Sequence, residues 1–318
     1  MKVSVAIAAY NAAETIGATL NSVLRQTVLP DETLVVNDGS TDNTASILHS
    51  YNSQITVLDQ ENKGLSAARN VLCKQAQGDL IAFLDADDIW HPRYLEVQRM
   101  LFKDYPNAVA FFTGHVNFSG NESFQWDSYK HPVEIYSKTE LLAPEKFLRR
   151  YSKATGPFAS PSYCCVPKRV LSQIGPEPFD ASVRVCDDAY LFYSLALLGP
   201  VVYCAAPLAA YRITERSLSY NRVRNLQFGV YVFELLEECY KNSANKSLFR
   251  AFRKAFASKR REYAKVLMGL GNVSKARSQL RYSLSDTISP DSLAKSLALS
   301  FLSYMPAQLQ PTWPPARR

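Results

Sequence analysis

Leu80-Ile81-Ala82-Phe83-Leu84-Asp85-Ala86-Asp87-Asp88 runs from five consecutive apolar residues into three carboxylates within four positions. A short unbroken apolar run of this kind reads as a strand buried on both faces, and such strands belong to sheets covered by helices. The carboxylates at its end repel one another where the sheet gives them little relief from solvent, so the arrangement is costly unless a cation neutralises it.

Upstream, Val3 to Ala9 is a second apolar run, and Glu14, Ile16, Leu20, Val23 and Leu24 follow at helical spacing. The alternation continues with strands expected over 33–37, 55–58, 80–84 and 108–113 and helices over 42–50, 66–75 and 92–103. This order predicts an α/β fold with a Rossmann-like, mostly parallel sheet and helices on both faces. Ligands in such sheets sit beyond the carboxyl ends of the strands, which marks Tyr10-Asn11, residues 37–42 and residues 85–90. Residues 119–152 break the pattern with Trp126, Tyr129, Tyr136 and Tyr151 among scattered charges, and read as an irregular excursion of the kind that carries binding. Periodicity returns over 166–174. The uncharged stretch 189–211 is punctuated by Gly199-Pro200 and Pro207 and reads as a buried helix, a turn and a strand rather than a membrane span. Beyond Arg212 only helices are expected.

With 318 residues, 47% hydrophobic and 20% charged, the chain is a folded protein larger than the domain prior of about 150 residues, and collagen-like or wholly disordered classes are excluded. Its net charge of +7 is unevenly placed: residues 1–211 hold 17 basic and 22 acidic groups, residues 212–318 hold 19 and 7. The six cysteines form no Cys-x-x-Cys pair, and Met1-Lys2-Val3-Ser4-Val5 lacks the regions of a signal peptide, so a reducing cytoplasmic setting is expected.

Three segments carry candidate chemistry. In Asn37-Asp38-Gly39-Ser40-Thr41-Asp42, Gly39 permits a tight turn, Asp42 caps the following helix and Asp38 faces the crevice, where a carboxylate accepts from a base or sugar edge. In Asp85-Ala86-Asp87-Asp88, an oxygen-only donor set without His or Cys favours Mg²⁺ or Mn²⁺ over Zn²⁺, with phosphates and water completing the shell. In Glu61-Asn62-Lys63-Gly64-Leu65-Ser66-Ala67-Ala68-Arg69-Asn70, a helix N-terminus, Lys63 and Arg69 favour an anion. The absence of G-x-G-x-x-G and G-x-x-x-x-G-K-[ST] argues against dinucleotide oxidoreduction and P-loop hydrolysis. Asp187-Asp188 opens an apolar helix and serves either as its cap or as a base in the cleft. Trp90 either stacks on the ring of a bound ligand, an acceptor if the site transfers a group, or belongs to the core, and Arg212 lies near a bound anion or in a structural ion pair.

Ala8-Ala9-Tyr10-Asn11, Asn37 to Asp42, Asn62 to Asn70 and Asp85 to Asp88, continued by Phe179-Asp180, Asp187-Asp188 and Tyr211-Arg212, together resemble a family 2 glycosyltransferase with the GT-A fold over roughly residues 1–215. The resemblance implies that Ala8, Tyr10 and Asp38 line the base and ribose. It also implies that Asp85 and Asp87 form the D-x-D element that binds the diphosphate through a divalent cation, Mn²⁺ or Mg²⁺, and that Asp188 is the general base beside Asp187. The reaction implied is a single displacement with inversion, from a nucleotide-sugar donor, UDP-sugar favoured, to a glycan or lipid-linked acceptor in cell-surface polysaccharide synthesis. Ala9 stands where many members have Pro, and Asp187 where many have Glu. The expected organisation is a nucleotide-sugar-binding half over 1–115, an acceptor-binding half over 116–215 and a basic helical region over 216–318.

That last region contains the charge run Arg250, Arg253, Lys254, Lys259, Arg260, Arg261 and Lys265, and a largely apolar helix from Leu293 to Met305. A basic surface beside such a helix suits an anionic membrane and a peripheral place at its inner face, while packing or an oligomer is the alternative. No nucleic-acid-binding fold accompanies the charge. Two other functions stay open on the residues alone: a nucleotidyltransferase, which lacks here its Gly-rich basic loop after the first strand, and a non-catalytic sugar-nucleotide or glycan-binding protein.

Overall fold

β1 (Val3–Ala9) is almost wholly buried and pairs in parallel with β2 (Glu32–Asp38) on one side and β4 (Leu80–Asp85) on the other, with β3 (Thr56–Gln60) outside β2. The computed structural model describes residues 1–120, 124, 126, 139–153, 159–183, 185–213, 221–285 and 290–305. Within them, one sheet of nine strands runs in the order β3-β2-β1-β4-β8-β6-β9-β5, with β7 also on β9. The antiparallel strand β8 (Cys164–Pro167) joins the parallel half to the long parallel pair β6 (Ala110–Ser119) and β9 (Val201–Ile213). Helices lie on both sides of the sheet.

The crossovers are α1 (Ile16–Leu24), α2 (Thr44–His49), α3 (Leu65–Gln75) and α4 (Tyr94–Asp104). Ile16, Leu20 and Val23 of α1 and Leu95 and Leu101 of α4 are buried in the same apolar cluster as Val5, Ile7, Leu80 and Leu84, because helical spacing returns these side chains to one face. α2 begins at Thr44, where Asp42 accepts from both the Thr44 N–H (2.9 Å) and hydroxyl (2.5 Å).

The stretch expected to be irregular contains order. β7 (Thr139–Leu142) pairs antiparallel with β9, and α5 (Pro144–Lys153) follows it; residues 127–138, with Tyr129 and Tyr136, lie outside the described residues. β5 (Ile89–Trp90) is a two-residue strand on β9. α6 (Lys168–Ile174) and α7 (Asp187–Leu198) complete this part of the chain.

Gly39 turns the chain at the end of β2 with φ +70°, and a Cβ there would lie 2.6 Å from the backbone nitrogen of Asn62. Gly39→Ala combines left-handed strain with a backbone clash, so it is expected to destabilise by about 2–4 kcal/mol. Urea unfolding followed by fluorescence checks this, and a loss below half a kilocalorie (about 0.5 kcal/mol, the scale of a neutral surface change) would show that the loop gives way freely.

The chain divides into two compact units, one of residues 1–147 and 155–215, the other of residues 148–154 and 216–318. The second holds α8 (Arg222–Asn242), α9 (Lys246–Gly269), α10 (Val273–Ser285) and α11 (Pro290–Tyr304). Asn221 and Asn245 cap α8 and α9 by accepting from the N–H groups of Arg224 and Leu248. Phe233, Tyr240, Phe252 and Phe256 stack between these two helices. Two cations of the charge run are interior: Arg260 lies over the Phe256 ring and pairs with Glu234, and Arg261 donates to Ser292 and Ser296. No helix among the described residues is long and apolar enough to cross a membrane.

Candidate active site

The carboxyl ends of β1, β2 and β4 bring Tyr10, Asp38 and Asp85 to one rim of the sheet, as the parallel register requires: Ala8 is paired with Val36 and with Asp85. Tyr10 is exposed, and Asn11 beside it adopts φ +49° and accepts from the Thr41 N–H at 2.8 Å, tying the first loop to the second.

Asp38 is buried and has a structural task. Its Oδ1 accepts from the Gln60 amide (2.6 Å) and the Lys63 N–H (2.8 Å), and its Oδ2 accepts from the Gly64 N–H (2.8 Å). These N–H groups precede α3, so the anion expected at this helix N-terminus is an internal one, Asp38 itself. Lys63 is exposed.

Arg69 also departs from expectation. It is buried, and its guanidinium forks between Asp85 (Nη2 to Oδ1, 2.5 Å) and Asp187 (Nη1 to Oδ2, 2.6 Å), with the Phe179 ring 5.5 Å from its centre. Burial disfavours its charge, but Asp187 and then Asp85 outweigh this and hold its pKa above the ordinary value. A guanidinium spent on two carboxylates is not a free phosphate ligand. The rest of the motif works in the same direction. Ser66 donates to the Val183 carbonyl at 2.9 Å, and Asn70 exchanges two bonds with the Phe179 backbone, donating at 2.7 Å and accepting at 3.0 Å. Ser66, Arg69 and Asn70 thus clamp the segment that leads to Asp187 and Asp188.

That segment ends at Cys186, a non-glycine residue at φ +62° that turns directly into α7. Conformations of this kind are uncommon and concentrate at functional sites. Asp187 points to Arg69, whereas Asp188 is partly exposed and its Oδ1 accepts from the Ala189 N–H at 2.9 Å. Burial, then the neighbouring Asp187 charge, pushes Asp188 up to about 7.

At the other acidic group, Asp85 and Asp87 are partly exposed and Asp88 is buried. Burial and then the Asp85 charge push Asp87 up to about 6. Asp88 is held well above the usual carboxylate range by burial and by Asp87 and Asp85. Its Oδ1 accepts from the Arg212 N–H at 2.8 Å while Arg212 Nε donates to the Asp87 carbonyl at 2.7 Å, so Arg212 fixes the turn. Ser162 supports it from below, its hydroxyl accepting from the Asp85 N–H at 3.1 Å. Among the described residues no three His, Cys, Asp or Glu side chains form a ready-made metal cage. Mg²⁺ or Mn²⁺ bound through one or two carboxylates and completed by phosphates and water needs none, and the like-charge strain on Asp87 is what such a cation relieves, so the residues fit a divalent ion.

Trp90 is corrected to the core: it is 1% exposed, stacked on Tyr94 at 4.2 Å, with Nε1 donating to the Ser162 carbonyl at 2.5 Å. No face of its ring is open to a sugar.

A nucleotide-type sheet with two acidic groups at its carboxyl rim has the GT-A architecture, and the comparisons with known proteins agree. The profile described as "Glycosyl transferase family 2" matches residues 4–175. The chain is 33% identical over 230 residues, 71% of its length and 82% of the relative's, to the Escherichia coli "UDP-Glc:alpha-D-GlcNAc-diphosphoundecaprenol beta-1,3-glucosyltransferase WfgD". In fold it is similar to Staphylococcus aureus TarS in complex with UDP-GlcNAc (TM-score 0.69, 17% identity, covering 96% of this chain and 89% of that one). It is also similar to the mannosyltransferase PcManGT of Pyrobaculum calidifontis in complex with GDP-Man and Mn²⁺ (TM-score 0.56, 20% identity, 96% and 82%). At these identities the two structures speak for the fold alone. The chain belongs to glycosyl transferase family 2 and is a glycosyltransferase. The nucleotidyltransferase and the non-catalytic binding protein fall away with that membership.

Proposed function

We propose that this enzyme transfers a sugar, with inversion, from a nucleoside-diphosphate sugar, a UDP-sugar first among them, to a hydroxyl of a lipid-linked glycan during cell-surface polysaccharide synthesis, working at the inner face of a membrane. The observation that carries the reading is the Arg69 fork. One buried cation joins Asp85 of the Asp85-Ala86-Asp87 element to Asp187, the residue before Asp188, so leaving-group and base functions meet at one place. The name of WfgD, with its UDP-glucose donor and diphosphoundecaprenol-linked acceptor, supports the substrate classes.

Asp87 and Asp85 are the residues that would hold a divalent cation, Mn²⁺ or Mg²⁺, which when bound neutralises charge on the departing diphosphate. Exposed Tyr10 and the Ala8 position at the end of β1 offer the nucleotide a wall, with Lys63 at its edge. Asp38 shapes that wall by fixing residues 63 and 64. Asp188 accepts the acceptor hydroxyl proton as the oxygen attacks the anomeric carbon.

Titration calorimetry of UDP with Mn²⁺, and again with EDTA, tests the metal. Affinity should fall at least about tenfold in EDTA, because the carboxylates then face the diphosphate unshielded. Equal affinity in both would sink the metal assignment, and transfer measured over a panel of nucleotide sugars would identify the donor.

A further inference from the structure

α11 is folded inside out. Its buried residues include Ser292, Ser296 and Ser303, which meet polar groups: Arg261 donates to the Ser292 and Ser296 hydroxyls at 2.9 and 3.1 Å, Ser283 reaches Ser296 at 3.0 Å, and Arg277 donates to the Ser303 carbonyl at 2.8 Å. Its exposed residues include four large apolar ones, Leu293 42%, Leu297 52%, Phe301 71% and Tyr304 60% exposed. At positions i, i+4, i+8 and i+11 they form one continuous stripe. A helix that satisfies its serines internally leaves a Leu-Leu-Phe-Tyr stripe facing water, and exposed apolar rows of this kind mark interaction surfaces.

We infer that this stripe is a docking face for an anionic phospholipid surface. The inference deepens the membrane placement proposed above and rests on it only for the place of work. Charge decides the occupant. From Val273 to Arg318 the chain carries six basic residues and two acidic ones, Asp286 and Asp291. The Arg277 guanidinium lies 3.9 Å over the Tyr304 ring at the end of the stripe, and Lys295 is exposed on the far side of α11. An apolar row that ends in an aromatic ring under a guanidinium, in a region with a positive excess, matches the acyl, interfacial and phosphate layers of a bilayer. A second copy is the poorer match: it would bring the same positive excess to the contact, and a stable dimer buries about 800 Å² per partner, more than the stripe of one 15-residue helix offers.

Flotation of the full-length protein with vesicles of phosphatidylcholine, alone or mixed with phosphatidylglycerol, tests this beside sedimentation in the absence of lipid. The wild type should float with the anionic vesicles and less at high salt. Leu297→Gln combined with Phe301→Gln should lower the bound fraction at least about tenfold while leaving thermal unfolding and donor hydrolysis unchanged, because both side chains are exposed. A chain ending at Met305 should still float. The inference is overturned if the double variant floats like wild type, if the shortened chain alone loses binding, or if the variant instead converts a wild-type dimer to monomer. If the protein floats but does not use a lipid-linked acceptor, the acceptor assignment fails and the docking face stands.

Discussion

Asp188→Asn is expected to bind donor with nearly unchanged affinity and to transfer sugar about 10²- to 10⁴-fold more slowly, the usual loss for a general base. The variant is close to isosteric, so shape is kept while the proton-accepting group is removed. Asp187 is buried against Arg69, and Asp188 is partly exposed and pushed up to about 7, near the pH at which a base is both free and strong enough to act. The wild-type rate should accordingly fall on acidification through about 7, and the variant's residual rate should lose that limb. Stability moves the other way. A carboxyl whose folded pKa is raised above its unfolded value binds more protons in the folded state across the interval, so stability declines as pH rises from the model-peptide range toward 7, and the burdened carboxylate is fully present above it. Asp188→Asn should therefore unfold at a higher temperature than wild type at pH 8. A full-rate Asp188→Asn, or a larger loss in Asp187→Asn, would move the base elsewhere.

The second large effect is structural. Arg69→Met should destabilise the protein by about 3–5 kcal/mol, because breaking the pair leaves Asp187 as an uncompensated buried charge beside the partly exposed Asp85. At about 2–4 °C per kcal/mol for a unit of this size, the melting temperature should drop by roughly 6–20 °C. Arg69→Lys keeps the charge but replaces the fork with a point donor that cannot serve both carboxylates, so it should fall between wild type and Arg69→Met and should still weaken donor binding through Asp85. Calorimetric melting with donor titration on the folded variants checks both. A Met variant that melts within a degree of wild type (about 0.3–0.5 kcal/mol on that scale) would show that the carboxylates are relieved by another route.

How far these features were legible in the chain depends on whether they are local. β1, β2 and β4 announced themselves as apolar runs, and the acidic turn after Leu84 was plain in the sequence. β7 and α5 were not, because pairing with β9 orders Thr139–Leu142 within a polar, aromatic stretch that carries no period of its own. Trp90 was ambiguous for the same reason: only its partner strand β9 and the Ser162 carbonyl place it inside. The role of Arg69 depends on partners 16 and 118 residues away, which spacing cannot reveal. A signal was nevertheless present. Arg69 stands on the helical stripe of Ala68, Leu72 and Cys73, and a cation on a buried stripe demands carboxylates. The inverted pattern of α11 likewise reads from sequence as an ordinary amphipathic helix, since periodicity reports that a face exists and not which way it turns.

α3 gives the enzyme a single wall shared by two tenants. The residues just before it, Lys63 and Gly64, are anchored by Asp38 on the side proposed for the nucleotide, and Ser66, Arg69 and Asn70 of its first two turns grip the chain that leads to Asp187 and Asp188. If the two sides are the donor and acceptor sides proposed above, a substitution on its inner face should disturb both substrates together, which makes this helix a poor place to search for altered specificity. Tyr10 and Lys63 are exposed at the rim and outside the clamp, so on the proposed reading substitutions there should change donor preference while the machinery behind them holds still.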